Sequence, residues 1–456
     1  MTRLVTKIFA LFLWALAFPA TVWATNGYFT HGSSIAEKGL AGAGVAYSQD
    51  TLAAANNPAG MVWQGRRYDV GAALFSPDRS YSSKGGPSVP AGGFCGMACP
   101  FSIGDGDQDK DSNNDIFLIP QFGYNYMLNE TNSIGVSVFG NGGMNTEYHG
   151  GVALLGPAGT QTEFSGTYGD GTAGVDLAQL FIAPTYAITI AEKTSLGISA
   201  ILAYQRFEAK GLGNFAGYST DPDNLTNNGH DDSTGIGVRF GIQSEVYDGI
   251  RIGGAYQPKI NMSEFDDYSG LFAEDGDFDI PSNWTVGIAI DTGSFGTFFV
   301  DYQEIKYSDV DAVSNPIGNL VPSNGDCAPG MTGGTGSGCL GGSDGAGFGW
   351  NDMQIIKIGY QFQTSENMIW RLGYSKTDQP IPDGQVTFNI LAPGVVEEHF
   401  TFGFTRIIDP KSSFSFAAMY APNNSVKGNN TFDPAQEIEL EMHQYEIAFA
   451  YNRRIE

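Results

Sequence analysis

The chain has 456 residues and a formal net charge of −26, with 62 glycines and 13% aromatic residues. That excess of acid repels phosphates and excludes nucleic acid as a partner. Charged residues make up only 16%, low for a soluble domain, and a mean hydropathy of −0.14 is too low for a bundle of membrane helices.

In chain order, residues 1–24 read as a secretory signal peptide. Arg3 and Lys7 supply the positive start, Ile8 to Phe18 the apolar run and Val22-Trp23-Ala24 a cleavage site. The run is too short for a spanning anchor, which needs ~20 residues. The next stretch, Thr30 to Trp63, consists mostly of Gly, Ala, Ser and Asn and carries no bulky apolar cluster until Met61. Within it, Ser34-Ile35-Ala36-Glu37 matches a capping box, and Asp50 is placed to cap a short turn ending at Asn56-Asn57-Pro58.

From Gln64 onward the dominant period is two, the mark of strands with two different faces. In "EEHFTFGFTRII", Phe400, Phe402 and Phe404 share one face, and His399, Thr401, Gly403 and Thr405 the other. In "IIKIGYQF", Ile356, Ile358, Tyr360 and Phe362 oppose Lys357, Gly359 and Gln361. The pattern predicts fourteen strands, near 67–76, 116–127, 133–140, 174–190, 194–209, 234–247, 250–264, 282–291, 296–309, 351–363, 368–378, 397–408, 412–425 and 440–453.

The connections alternate. Those at 77–115, 141–173, 210–233, 265–281, 310–350, 379–396 and 426–439 are long, and those between them are tight turns such as "LNETN" and "AEK". A soluble sandwich has no reason to keep every second loop short. An outer-membrane barrel does, with short periplasmic turns, long extracellular loops and an even strand number. The fold expected is therefore all-β, a 14-stranded antiparallel transmembrane β-barrel at 67–456. Its lumen is too wide for its own side chains to fill, which gives the small-residue stretch at 25–66 a place as an N-terminal plug. The four cysteines form two close pairs in long loops, Cys95 with Cys99 and Cys327 with Cys339, expected as two local disulfides in an exported chain.

The stretch "NGYFTHGSSIAEKGLAGAGVAYSQDTLAAANNPAGMVW" resembles the N-terminal hatch of the FadL/TodX family of outer-membrane transporters for hydrophobic compounds. "DIFLIPQFGYNY" (115–126), "GVDLAQLFIAPTYA" (174–187) and "KINMSEFDDYSGLFAEDGDFDIP" (259–281) carry further resemblance, in order and over the whole mature chain. The resemblance implies passive uptake of long-chain fatty acids or hydrocarbons. Extracellular loops capture the ligand, the hatch shifts, and the ligand leaves sideways into the membrane.

On that resemblance Asn57, Pro58 and Ala59 occupy the hatch motif expected to act in gating, with a purely structural turn as the alternative. Tyr28 and Phe29 lie where the family keeps its inner ligand site, Gly140, Gly142 and Gly143 where a kinked strand opens the lateral exit. Leu212, Phe215, Tyr218, Leu271 and Phe272 fall in loops expected to form an outer capture groove; packing of loop on loop is the alternative. Lys357, Arg251 and Lys259 face the lumen by parity, to hold a fatty carboxylate or to pair with acids such as Glu446, Asp301 or Glu245.

The acidic run 104–115 fails the EF-hand pattern and reads as a solvated loop; no metal and no cofactor is expected. The chain lacks G-x-S-x-G, P-loop and H-E-x-x-H motifs, so no enzyme is expected. The expected partners are a hydrophobic small molecule, outer-membrane lipid and lipopolysaccharide, and the expected state a monomer. The rival functions are a rim-active barrel enzyme and an open aqueous porin.

Overall fold

The computed structural model describes residues 26–86, 101–104, 107–155, 162–321 and 326–455. The leader expected at 1–24 lies outside these residues. Of the two disulfides expected, the one between Cys327 and Cys339 forms. The other, expected between Cys95 and Cys99, lies outside the described residues.

Fourteen antiparallel strands close on themselves. They are β1 (Arg67–Gly85), β2 (Phe117–Met127), β3 (Asn132–Tyr148), β4 (Ala173–Ala191), β5 (Thr194–Lys210), β6 (Asp231–Tyr247), β7 (Ile250–Gln257), β8 (Asn283–Asp291), β9 (Thr297–Ile305), β10 (Met353–Ser365), β11 (Met368–Thr377), β12 (Glu398–Asp409), β13 (Ser412–Asn430) and β14 (Asp433–Arg454). Each pairs with its sequence neighbours, and β14 completes the ring against β1, from Arg67 opposite Arg454 to Gly85 opposite Gln436. Closure leaves no sheet edge in hydrocarbon, where unpaired backbone groups are costly.

The period-two pattern sorts the side chains as its chemistry requires. Phe400, Phe402, Tyr445, Ile447, Phe449, Ile356 and Ile358 are exposed on the outer wall, while Glu446, Ala448, Ala450 and Lys357 are buried inside. An apolar outer band with a small or polar lumen face fits a wall bathed in lipid.

Several boundaries differ from the sequence reading, among them the ends of β1 and β3, which run on to Gly85 and Tyr148 rather than stopping near 76 and 140. β7 stops at Gln257 rather than near 264, because Pro258 has no N–H to extend the ladder. The last long connection is no loop: β13 and β14 run on as a tall hairpin turning through Thr431 and Phe432. Nor is 104–115 wholly a solvated loop, since Asp107–Asp111 forms a strand against Ser80–Lys84 of β1.

Residues 26–64 fold inside the cylinder, nearly all buried. Ser34 caps the helical turn Ile35–Lys38, its Oγ accepting from Glu37 N at 3.1 Å. Asp50 Oδ1 accepts from Leu52 N at 3.0 Å, ahead of a 3₁₀ turn at Ala53–Ala55. A second 3₁₀ turn, Pro58–Trp63, starts from Asn57 as its cap with Pro at the first position, where the missing N–H costs nothing.

Irregular backbone in so dry a place must find a partner for its polar groups, and lumen-facing wall residues supply many of them. Asp301 accepts from Gly44 N and Val45 N at 2.8 and 2.9 Å. Asn125 donates to Met61 O at 2.9 Å, and Ser195 to Ala59 O at 2.9 Å. Small residues make this fit possible on both sides: a Cβ on wall residue Gly241 would lie 2.0 Å from Asn57 Oδ1. Physically, that is why the beginning of the chain is so poor in bulky side chains.

Candidate functional site

At one place among the described residues, two adjacent wall strands both run on for several residues without a shared ladder. β2 pairs with β3 only from Met127 to Phe122, ending opposite Val138. Beyond that point β2 keeps its ladder with β1 as far as Phe117, and β3 keeps its ladder with β4 as far as Tyr148. Among the described residues no ladder joins β2 to β3 over this interval, and Pro120 has no N–H to offer one. The interval is bridged again higher up, where Asn113 N donates to Glu147 O at 2.8 Å.

The cause is local. β3 slips register between Gly140 and Gly142, leaving Asn141 as an extra residue, and past this bulge its residues are buried on both faces. The freed edge takes a new partner from the plug. Phe29 pairs with Gly142, Thr30 N donates to Asn141 O at 3.2 Å, and Gly143 N donates to Tyr28 O at 2.9 Å. A Cβ at Gly142 would lie 2.1 Å from Tyr28 O, so only glycine admits this approach. Gly140, Gly142, Gly143, Tyr28 and Phe29 thus meet at one spot.

Tyr28 is fully buried, and its N–H donates to Tyr307 Oη at 3.2 Å. Aromatic rings lead away from it. Its centroid lies 5.3 Å from Phe29, 5.2 Å from Tyr307, 6.0 Å from Trp350 and 6.1 Å from Phe278. Phe278 lies 4.8 Å from Phe272, and Phe272 4.7 Å from Phe207.

That ladder ends at an apolar cavity beneath the extracellular loops, bordered by Phe207, Leu212, Phe215, Leu271, Phe272 and Phe348. Four of the loop residues expected in an open groove therefore line a covered chamber. Tyr218 stands beside it, packed at 6.3 Å on Phe432. The cover is the segment between β9 and β10, stapled by the disulfide between Cys327 and Cys339, with Leu340, Ala346 and Phe348 turned inward. Trp350, Tyr307 and Phe278 escape a sequence reading: Trp350 and Phe278 show only as apolar residues in long loops, as in "GFGW", and Tyr307 only as the end of the strand expected at 296–309.

Asn57 is buried, at the opposite end of the plug. Its Nδ2 donates to Val45 O at 2.7 Å and to Ile242 O at 2.9 Å, while its Oδ1 accepts from Ala59 N at 3.1 Å. The Asn-Pro-Ala turn thus joins two plug segments to β6.

The three expected cations do not converge on the apolar route. Lys259 pairs with Asp279 at 2.6 Å. Arg251 pairs with Glu245 at 3.2 Å and lies over the Tyr47 ring. Lys357 donates to His31 O at 3.3 Å and borders a polar cavity with Glu37 and Arg239.

This polar cavity is expected to make plug docking pH-dependent. Burial pushes the Glu37 carboxyl up to about 8, with Asp50 adding to the rise, while Asn56 and Lys357 oppose it. The folded state then holds this proton more tightly than the unfolded chain does, so stability falls as pH rises from about 4.5 to about 8. Ion leak through the barrel should increase across that window and rise less in Glu37→Gln, in which Asp50, pushed up to about 6 by burial, still titrates. A wild-type leak independent of pH would remove Glu37 from plug docking.

Residues 16–455 match the family model described as outer membrane protein transport protein (OMPP1/FadL/TodX). The chain belongs to this family. Its members are transport channels of the outer membrane. No curated protein matches the sequence. Among solved structures, the P. putida toluene transporter TodX is similar at 17% identity and TM-score 0.60, covering 95% of this chain and 99% of its own. The Ralstonia pickettii toluene transporter TbuX gives 17% and 0.59, covering 93% and 99%. A Pseudomonas aeruginosa FadL homologue gives 13% and 0.64, covering 94% and 100%. At such identities the likeness concerns the fold: a 14-stranded barrel.

Proposed function

We propose that this FadL/TodX-family channel takes up hydrophobic molecules passively across the outer membrane of a Gram-negative cell. A molecule enters the covered cavity at Phe215 and Phe272, follows the aromatic ladder through Phe278 to Tyr28 and Phe29, and leaves between β2 and β3. Release requires the plug segment Tyr28–Thr30 to move off β3. In the exported chain the leader at 1–24 is removed, so that the new terminus lies near Asn26 in the lumen.

The carrying observation is that a run of buried rings ends where the wall lacks its ladder. An apolar solute on such a route keeps its surface out of water, at ~25 cal/mol per Å², and an exit into lipid spares it the aqueous periplasm. An open porin has no use for either feature. The names of the similar structures, two toluene transporters and a FadL homologue, support the class of cargo.

The test replaces Phe278 by Gln or Leu and follows uptake of a labelled alkane into proteoliposomes. A buried amide without a partner costs ~1–3 kcal/mol, so Gln should slow uptake about tenfold or more, whereas Leu should stay within about twofold. Equal rates for both variants would contradict the route.

A further inference from the structure

A row of buried amides joins the aromatic route to the place where the plug is seated on β3. Gln179 on β4 and Gln205 on β5 are fully buried, and Asn141, the extra residue of the β3 bulge, nearly so. In the ladder Gln179 stands opposite Gln205, and Gln205 opposite Ser233 of β6. Asn141 Nδ2 donates to Gln179 Oε1 at 2.9 Å, and Gln179 Nε2 to Gln205 Oε1 at 3.0 Å. Gln205 Nε2 ends the row on Phe278 O at 2.7 Å, with Ser233 Oγ at 3.4 Å.

The far end sets the direction of these bonds. Phe278 O can only accept, so Gln205 presents its NH₂ there and its oxygen to Gln179, and so on back to Asn141. Amides aligned in this way polarise one another. Phe139, Leu177, Phe181 and Phe207, all buried, surround them, and an amide left unbonded among such rings is costly. Turning an amide over exchanges its donor for its acceptor. The row therefore has two discrete arrangements, the kind of element through which separate sites bias one another.

Both ends of the row matter to transport. One is a carbonyl of the route, and at the other Asn141 O accepts from Thr30 N of the plug at 3.2 Å. A partner for the second arrangement stands beside it. Tyr28 Oη is fully buried without a hydrogen bond, and Gln179 lies near enough for the two to interact.

We infer that Asn141, Gln179 and Gln205 are positioning residues that link a solute at Phe278 to release of the plug from β3. A solute lodged between Phe272 and Phe278 parts rings whose centres lie 4.8 Å apart and moves the Phe278 carbonyl with them. Gln205 then loses its acceptor. The amides turn over, Gln179 bonds Tyr28 Oη instead, and Asn141 loses the bond that steadies the bulge under Thr30. The inference rests on the channel reading and adds the residues that carry the signal.

The test follows amide exchange in the full-length protein in lipid nanodiscs, with and without saturating toluene as the probe. In wild type, toluene should slow exchange at 272–280 and quicken it at 26–32 by about tenfold, the effect of one lost hydrogen bond. Gln179→Met fills similar space but cannot continue the row. Its 272–280 segment should respond at the same toluene concentration as in wild type, while the plug segment no longer responds. Gln205→Met cuts the row at another link and should give the same loss. A merely structural role would raise plug exchange without toluene and leave the response to toluene intact. A plug response that survives in either variant, or is absent from wild type although 272–280 responds, overturns the row as a link and leaves the route standing. Toluene without effect on 272–280 in wild type overturns both.

Discussion

Replacing Lys38 with Met is expected to loosen the plug more than any other single change to it. Lys38 Nζ meets both oxygens of Glu446 at 2.8 and 2.7 Å, and the two side chains are 3% and 4% exposed. One partner lies on the plug and the other on β14, so the pair is a direct bond between stopper and wall. Its net worth to folding is small, since burying two charges costs nearly what their attraction returns. Removing one partner is different. The Glu446 carboxylate is then left in a dry lumen without its cation, at a cost of ~3–5 kcal/mol, several times that of an ordinary neutral hydrogen bond.

The strain falls on the plug rather than on the ring of ladders, so Lys38→Met should leak ions in planar bilayers while the barrel still folds. Lys38→Met/Glu446→Met should restore much of the seal, because a well-packed apolar pair replaces a buried ion pair with little loss. An unchanged Lys38→Met, or a double variant leakier than the single one, would show that this pair does not hold the plug.

Much of the architecture is written in strand-length stretches of sequence. Phe400 and Phe402 alternate with His399 and Thr401 because one face meets lipid and the other the lumen, and that contrast repeats around the ring. The plug is legible for a related reason: only small side chains let backbone approach as closely as plug Gly39 does wall Gly403, whose Cα would lie 3.2 Å from a Cβ on Gly39. The hidden part is what depends on loops meeting one another. Nothing near Leu212 or Phe272 says that a segment carrying Phe348, far along the chain, will cover them, so residues expected on an open surface prove to line a chamber.

The height of β13 and β14 is hidden similarly. Their polar upper halves look like loop because they stand clear of hydrocarbon, where the two-faced pattern fades.

The second large effect concerns the whole plug. Deleting Thr25 to Ala59 removes the groups that occupy Asp301, Glu446 and Ser195. The ring of ladders needs none of them, so the barrel should still form, with its lumen re-solvated instead of dry. A barrel of this size without its stopper encloses water, and a wet lumen discards the advantage an apolar route gives a greasy solute.

Paired bilayer conductance and proteoliposome uptake on that deletion variant provide the most direct test. The account predicts a steady ion current absent from the intact protein, together with loss of preference for hydrophobic over small polar solutes. An ion-tight deletion variant that takes up hydrophobic solutes as the intact protein does would contradict it.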